Sequence, residues 1–122
     1  LIFYAEVDVP WPCSNRDYIA HIVINQISPQ FISIDSHAEP DLLPEKNGLI
    51  RVRSSVTHWD ITTINSKQLS VVYTVRFEPG GSVPAWLTNL FIAKGPYNTF
   101  KKLREQVNKP QYQQAHLDFI KS

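Results

Sequence analysis

FEPGGSVPAWLTNLFIAKGPYNTFKKLREQV, residues 77–107, is the stretch whose reading decides the fold. Glu78-Pro79-Gly80-Gly81 is a turn signal that ends the preceding strand, because proline cannot donate to a ladder and glycines reach backbone angles that other residues avoid. A helix is predicted to follow, with Ser82 capping its first amides, Pro84 in the first turn and Lys101, Lys102 and Arg104 at the negative end of its dipole. Val83, Leu87, Leu90, Phe91, Phe100, Leu103 and Val107 read as one apolar stripe. Unbroken, such a helix is about 37 Å long, and only a broad surface could bury it. Gly95-Pro96 lies inside the pattern, where proline removes a ladder bond and crowds the preceding turn. A kinked single helix is expected, the stripe resuming at Tyr97, Phe100 and Leu103; the alternative is two separate helices.

Upstream, the apolar pattern changes from the helical period to the period of two that marks half-buried strands. Residues 2–9 alternate, residues 18–25 are rich in branched side chains, and residues 31–36, 49–62 and 68–78 complete five predicted strands. In the last, Leu69, Val71, Tyr73, Val75 and Phe77 share one face, and Ser70, Thr74, Arg76 and Glu78 share the other. Five consecutive strands with short connections make an antiparallel meander, and the long helix is the element able to cover its apolar face. Asn108-Lys109-Pro110 ends that helix, and residues 111–120 are predicted as a short second one with Tyr112, Leu117 and Ile120 inward.

The chain has 122 residues, the size of one domain, with a net charge of +1 that gives no field for nucleic acid. Its single cysteine, Cys13, excludes an intramolecular disulfide, and no apolar run is long enough to span a membrane as a helix. It begins at Leu1 and contains no methionine, which points to a piece of a longer product or a chain described without its start.

Catalytic and metal signals are weak. His21, His37, His58 and His116 lack the spacing that places two ligands on one helix face, and His37-Ala38-Glu39 matches a His-x-Glu zinc pattern without the cysteines that normally complete it. His58 and Asp60 share a strand face and read as a surface hydrogen bond before an acid–base pair. Arg16-Asp17 reads as an anchor tying a loop to the sheet, the alternative being a contact to a ligand's head group. Arg51 and Arg53 point either to solvent or inward, and an inward arginine would need a carboxylate or an anionic ligand. Trp59 and Tyr73 are ordinary core aromatics or the lining of a cavity, and Leu87, Leu90 and Phe91 face the sheet on either reading.

Three motifs, PWPCSNRDY at residues 10–18, SHAEPDLLPEKNGLIRVR at residues 36–53 and FEPGGSVPAWLTNLF at residues 77–91, occur in an order that resembles the START (steroidogenic acute regulatory protein-related lipid transfer) domain. The resemblance implies an α+β helix-grip fold, a curved antiparallel sheet packed on a long C-terminal helix with a lipid between them. It covers nearly the whole chain through about residue 107, as the C-terminal portion of a domain lacking its usual N-terminal helix and first strands. An incomplete sheet would leave an edge open, so a second copy completing it is the expected partner, the alternative being a missing segment that was simply not included or was cleaved but stays bound. Ile22 stands where sterol-binding members carry an inward arginine, and the Pro-Gly-Gly-x-x-Pro-Ala-Trp-Leu-x-Asn wording of residues 79–89 is similar to the phospholipid-transfer branch. The implied function is non-enzymatic lipid binding or transfer without cofactor or metal. The expected contacts are Arg51, Arg53, Trp59, Tyr73, Leu87, Leu90 and Phe91, with transient membrane contact during exchange. A polyketide-cyclase-like enzyme or a structural dimer without a cavity are the rival expectations.

Overall fold

In the computed structural model, residues 1–121 are described, and they divide into two compact units, residues 1–82 and residues 83–121. The first unit is a six-stranded sheet. Strands β1 (Ile2–Val7), β2 (Arg16–Ser28), β3 (Phe31–Ala38), β5 (Ser54–Asn65) and β6 (Gln68–Glu78) lie side by side as an antiparallel meander in that order. The predicted fourth strand is two elements: β4 (Ile50–Arg51) pairs parallel to β2, Arg16 opposite Ile50 and Asp17 opposite Arg51, and β5 begins three residues later. The break has a physical reason. β3 pairs with β2 only from Ala20 onward, so the first residues of β2 have an open side that β4 fills before the chain crosses to β3.

Register assigns the two faces, since directly opposed residues point the same way and neighbours along a strand point oppositely. One face carries Ile22, Ile24, Ile34, Trp59, Ile61, Val71, Tyr73, Val75 and Phe77. The other carries His21, Asp35, His37, His58, Asp60, Thr74 and Arg76. The deepest packing lies at the start of β2, where Val9, Ile19, Ala20 and Val52 are buried together with Arg16, Asp17 and Arg51.

The second unit is helical. α1 (Ala85–Asn89) runs without interruption through a π-helical turn (Leu90–Lys94) into α2 (Gly95–Val107). Pro84 occupies the N-cap position with an extended backbone, and no side chain caps the helix, so Ser82 does not play the expected part. Two separate helices were the alternative; instead the proline is absorbed inside one. Pro96 has no N–H to reach back one α turn, and Gly95 donates its N–H five residues back to the Leu90 carbonyl. That wide turn also corrects the reading of the stripe as simply in phase. Phe91 and Phe100 are nine residues apart, about two and a half α turns, so a regular helix would put the two halves on opposite sides. A π turn takes up one extra residue and brings them to within roughly a quarter turn. The tail differs from expectation as well: only α3 (Pro110–Gln113) is helical, and Tyr112 and Leu117 are exposed, with Ile120 half-buried.

Candidate functional site

The head of the sheet is built from two arginines that face different tasks. Arg16 is buried at the first position of β2. Its Nε donates to the Pro79 carbonyl at 3.2 Å, its Nη2 to the Gly80 carbonyl at 2.9 Å, and its Nη1 to the Ser14 carbonyl. The Pro79-Gly80-Gly81 turn after β6 is thus tied to the start of β2. The turn needs its glycines: Gly80 and Gly81 sit at φ of 76° and 67°, and a Cβ on Gly81 would lie 3.1 Å from the Ile50 Cδ1.

Arg51 and Asp17 form a paired, buried ion pair, each side chain 1% exposed. Arg51 Nε donates to Asp17 Oδ1 at 2.7 Å and Nη2 to Oδ2 at 2.9 Å, the two-pronged geometry that guanidinium and carboxylate share. The other three N–H groups meet the carbonyls of Pro40 at 2.6 Å, Leu43 at 2.8 Å and Pro44 at 3.0 Å. An arginine has five N–H donors, and all five are used. The Tyr4 hydroxyl donates to the same carboxylate at 3.1 Å. Hydrogen bonds from Arg51 hold the Asp17 carboxyl below its ordinary range against the opposing effect of burial, and the carboxylate in turn raises Arg51.

This arrangement corrects the expectation that Arg51 holds a ligand's head group: it is inward, it found a carboxylate, and it has no donor to spare. Arg16-Asp17 is a structural anchor, as the first of its two readings had it. Arg53 is on the outside, where it contacts Asp41 at 3.1 Å and Glu45, and these hydrogen bonds raise its pKa. Arg53, Glu45, Leu49, Ile50, Glu78 and the glycine turn line an open cleft of about 310 Å³.

Trp59 and Tyr73 come together on the apolar face as direct cross-strand partners, ring centroids 4.3 Å apart and tilted by 37°. Burial raises the Tyr73 phenol, the largest influence on it. Ile22, in the position singled out for sterol recognition, lies on this same face opposite Ser36. Leu87 is fully buried in α1, and Leu90 and Phe91 are half-buried at the start of the π turn. His58 is on the other face from Trp59. Its Nδ1 lies 2.6 Å from Asp35 and its Nε2 2.8 Å from Asp60, and these bonds raise its pKa, Asp35 first. Sequence reading anticipated Asp60 and missed Asp35, which reaches His58 only through the β3–β5 register.

Comparison with known proteins bears on this geometry. No family model matches the chain. An uncharacterised protein of Pseudomonas aeruginosa is 36% identical over 106 residues, 87% of this chain and 52% of that one. The phosphatidylcholine transfer protein of Bos taurus is 32% identical over 108 residues, 84% of this chain and 50% of its own. The crystal structure of a STAR-related lipid transfer protein fragment from Xanthomonas axonopodis superposes with a TM-score of 0.77 at 30% identity, covering 88% of this chain and 60% of that one. These likenesses support a START domain. It spans about half the length of the curated relatives it matches. Within that START framework, the antiparallel sheet and C-terminal helix expected from the sequence are the observed architecture.

Proposed function

We propose that this START chain binds a lipid, a phospholipid rather than a sterol, and carries it without chemical change. The observation that carries the reading is the sheet's apolar face, with the Trp59–Tyr73 pair among branched side chains, in a chain similar to a phosphatidylcholine transfer protein. Ile24 and Val75 on that face remain 39% exposed, so it retains apolar surface for which an acyl chain is a chemically suited cover. Trp59, Tyr73, Leu87, Leu90 and Phe91 are the proposed apolar contacts. Arg53 is the proposed head-group contact, a phosphate replacing Asp41 or Glu45 as its partner. Residues 90–96 are the proposed hinge for entry, because a π turn at a proline is where a helix bends at least cost.

A second copy is the proposed protein partner. β1 and β6 are the outer strands of the sheet, and β1 leaves Ile2, Phe3 and Val7 exposed, a surface that strand pairing between copies would cover. Native mass spectrometry of the purified protein followed by solvent extraction tests both proposals. A dimer carrying a discrete mass that extracts as phospholipid is the expected result. A bare species overturns the carrier reading, and a lipid-loaded monomer overturns the dimer alone.

A further inference from the structure

The polar face holds a second constellation, separate from the apolar face. His21 on β2 and His37 on β3 are direct cross-strand partners, with ring centroids 5.2 Å apart in an edge-to-face arrangement. Glu39 follows His37 by two residues and therefore points to the same side of the sheet. Although β3 ends at Ala38, the Glu39 N–H donates to the Ile19 carbonyl at 2.9 Å, which keeps this residue in line with the ladder. Its Oε1 lies 3.0 Å from His37 Nε2 and 3.9 Å from His21 Nδ1. All three candidate donor atoms lie within 4.8 Å of one another.

We propose that His21, His37 and Glu39 form a surface site for a divalent metal ion of the zinc class, with water in the remaining position. Imidazole and carboxylate are a donor set suited to that class, and three protein ligands with an open fourth position make a complete, exchangeable site. The distances fit. Tetrahedral bonds of about 2.1 Å place ligand atoms roughly 3.4 Å apart, between the two separations to Glu39. The His21–His37 separation closes by ring rotation, which these half-exposed side chains can make. The ion takes the place of the His37 Nε2 proton, which moves to Nδ1 through solvent as the other neutral tautomer. Along the same cross-strand row, Ile2 flanks His21 and Val56 flanks His37, apolar neighbours that limit water at the sides of the site. His58 is no rival, because its two nitrogens face two different carboxylates and cannot meet on one ion.

The His-x-Glu pattern supplies two donors from the end of β3 and the residue just after it, and the sheet register supplies the third, which explains why the linear sequence looked incomplete as a metal motif. The test is calorimetric titration of zinc chloride into chelator-treated protein, with cobalt chloride and its visible ligand-field bands as a second readout. A single saturable equivalent is expected, lost in a His21→Ala/His37→Ala variant and retained in His58→Ala. Glu39→Gln should weaken binding by at least about tenfold, the lower end for loss of even an outer-shell partner. The substituted side chains are 40–51% exposed, so unchanged circular dichroism is expected in each variant. Absence of saturable binding to a folded wild-type chain, or undiminished binding by the double variant, overturns the proposal.

Discussion

Substituting Asp17 with alanine isolates the element on which the sheet's head depends. The carboxylate accepts two hydrogen bonds from Arg51, at 2.7 and 2.9 Å, and one from Tyr4 at 3.1 Å. Its removal leaves a 1%-exposed guanidinium with two donors unmet. Hydrogen bonds to charged groups are worth about 1.5–3 kcal/mol each, so two give roughly 3–6 kcal/mol. Breaking one side of a buried pair independently predicts about 3–5 kcal/mol. Against a total stability of about 5–15 kcal/mol, such a loss removes a large share of the folding free energy, and at the low end of that range it leaves the variant partly unfolded at room temperature. Urea unfolding followed by tryptophan fluorescence, with Arg51→Met and Asp17→Ala/Arg51→Met completing a double-mutant cycle, measures both the loss and the coupling. The pH dependence supplies a second readout. The folded carboxyl titrates below its ordinary 3.8, so its contribution is fully present above that value and lost as pH falls through the lower folded value. Asp17→Asn should flatten the stability profile in that acid window. A loss below about 1 kcal/mol would mean the pair behaves as a surface contact and would refute the reasoning.

Other consequences are open to measurement. His58, raised by Asp35 and Asp60, should titrate by NMR above 6.5; its stabilising contribution is present below that pH and lost as pH rises through the folded value, and Asp35→Asn should lower the midpoint. Gly81→Ala forces a side chain onto a φ of 67° and against Ile50, costing about 1–2 kcal/mol and several degrees of Tm; an unchanged Tm would mean the turn relaxes freely. Pro96→Ala restores an N–H able to reach the Ile92 carbonyl and is expected to slow or abolish transfer of fluorescent phosphatidylcholine between vesicles. Unchanged transfer removes residues 90–96 as the hinge.

Much of the fold was legible because the apolar period is local information: alternation marked the sheet strands, and spacings of three and four marked the helix on both sides of Gly95-Pro96. The split of residues 49–62 into β4 and β5 was not legible, since Val52 and Arg53 continue the alternation and only the open side of β2 calls β4 away from its neighbours. Arg51 shows the same limit for a site. Its pattern said that an inward arginine needs an anion, but the partner is 34 residues away, and the three carbonyls are backbone groups that no side-chain pattern in the loop announces. His21 and His37 carried no signal in their spacing because a cross-strand pair depends on register, which turn geometry sets.

The wide turn at Leu90–Lys94 makes chain length, rather than residue identity, the quantity that matters there. Deleting Ala93 together with a Pro96→Ala exchange should yield a straighter, more regular helix by every local criterion. Without that deletion, the exchange alone would let the segment relax to α geometry and carry Phe100 and Leu103 about 100° around the axis. A substitution that improves the helix and a deletion that shortens it are therefore compensating changes, each harmful alone and tolerable as a pair.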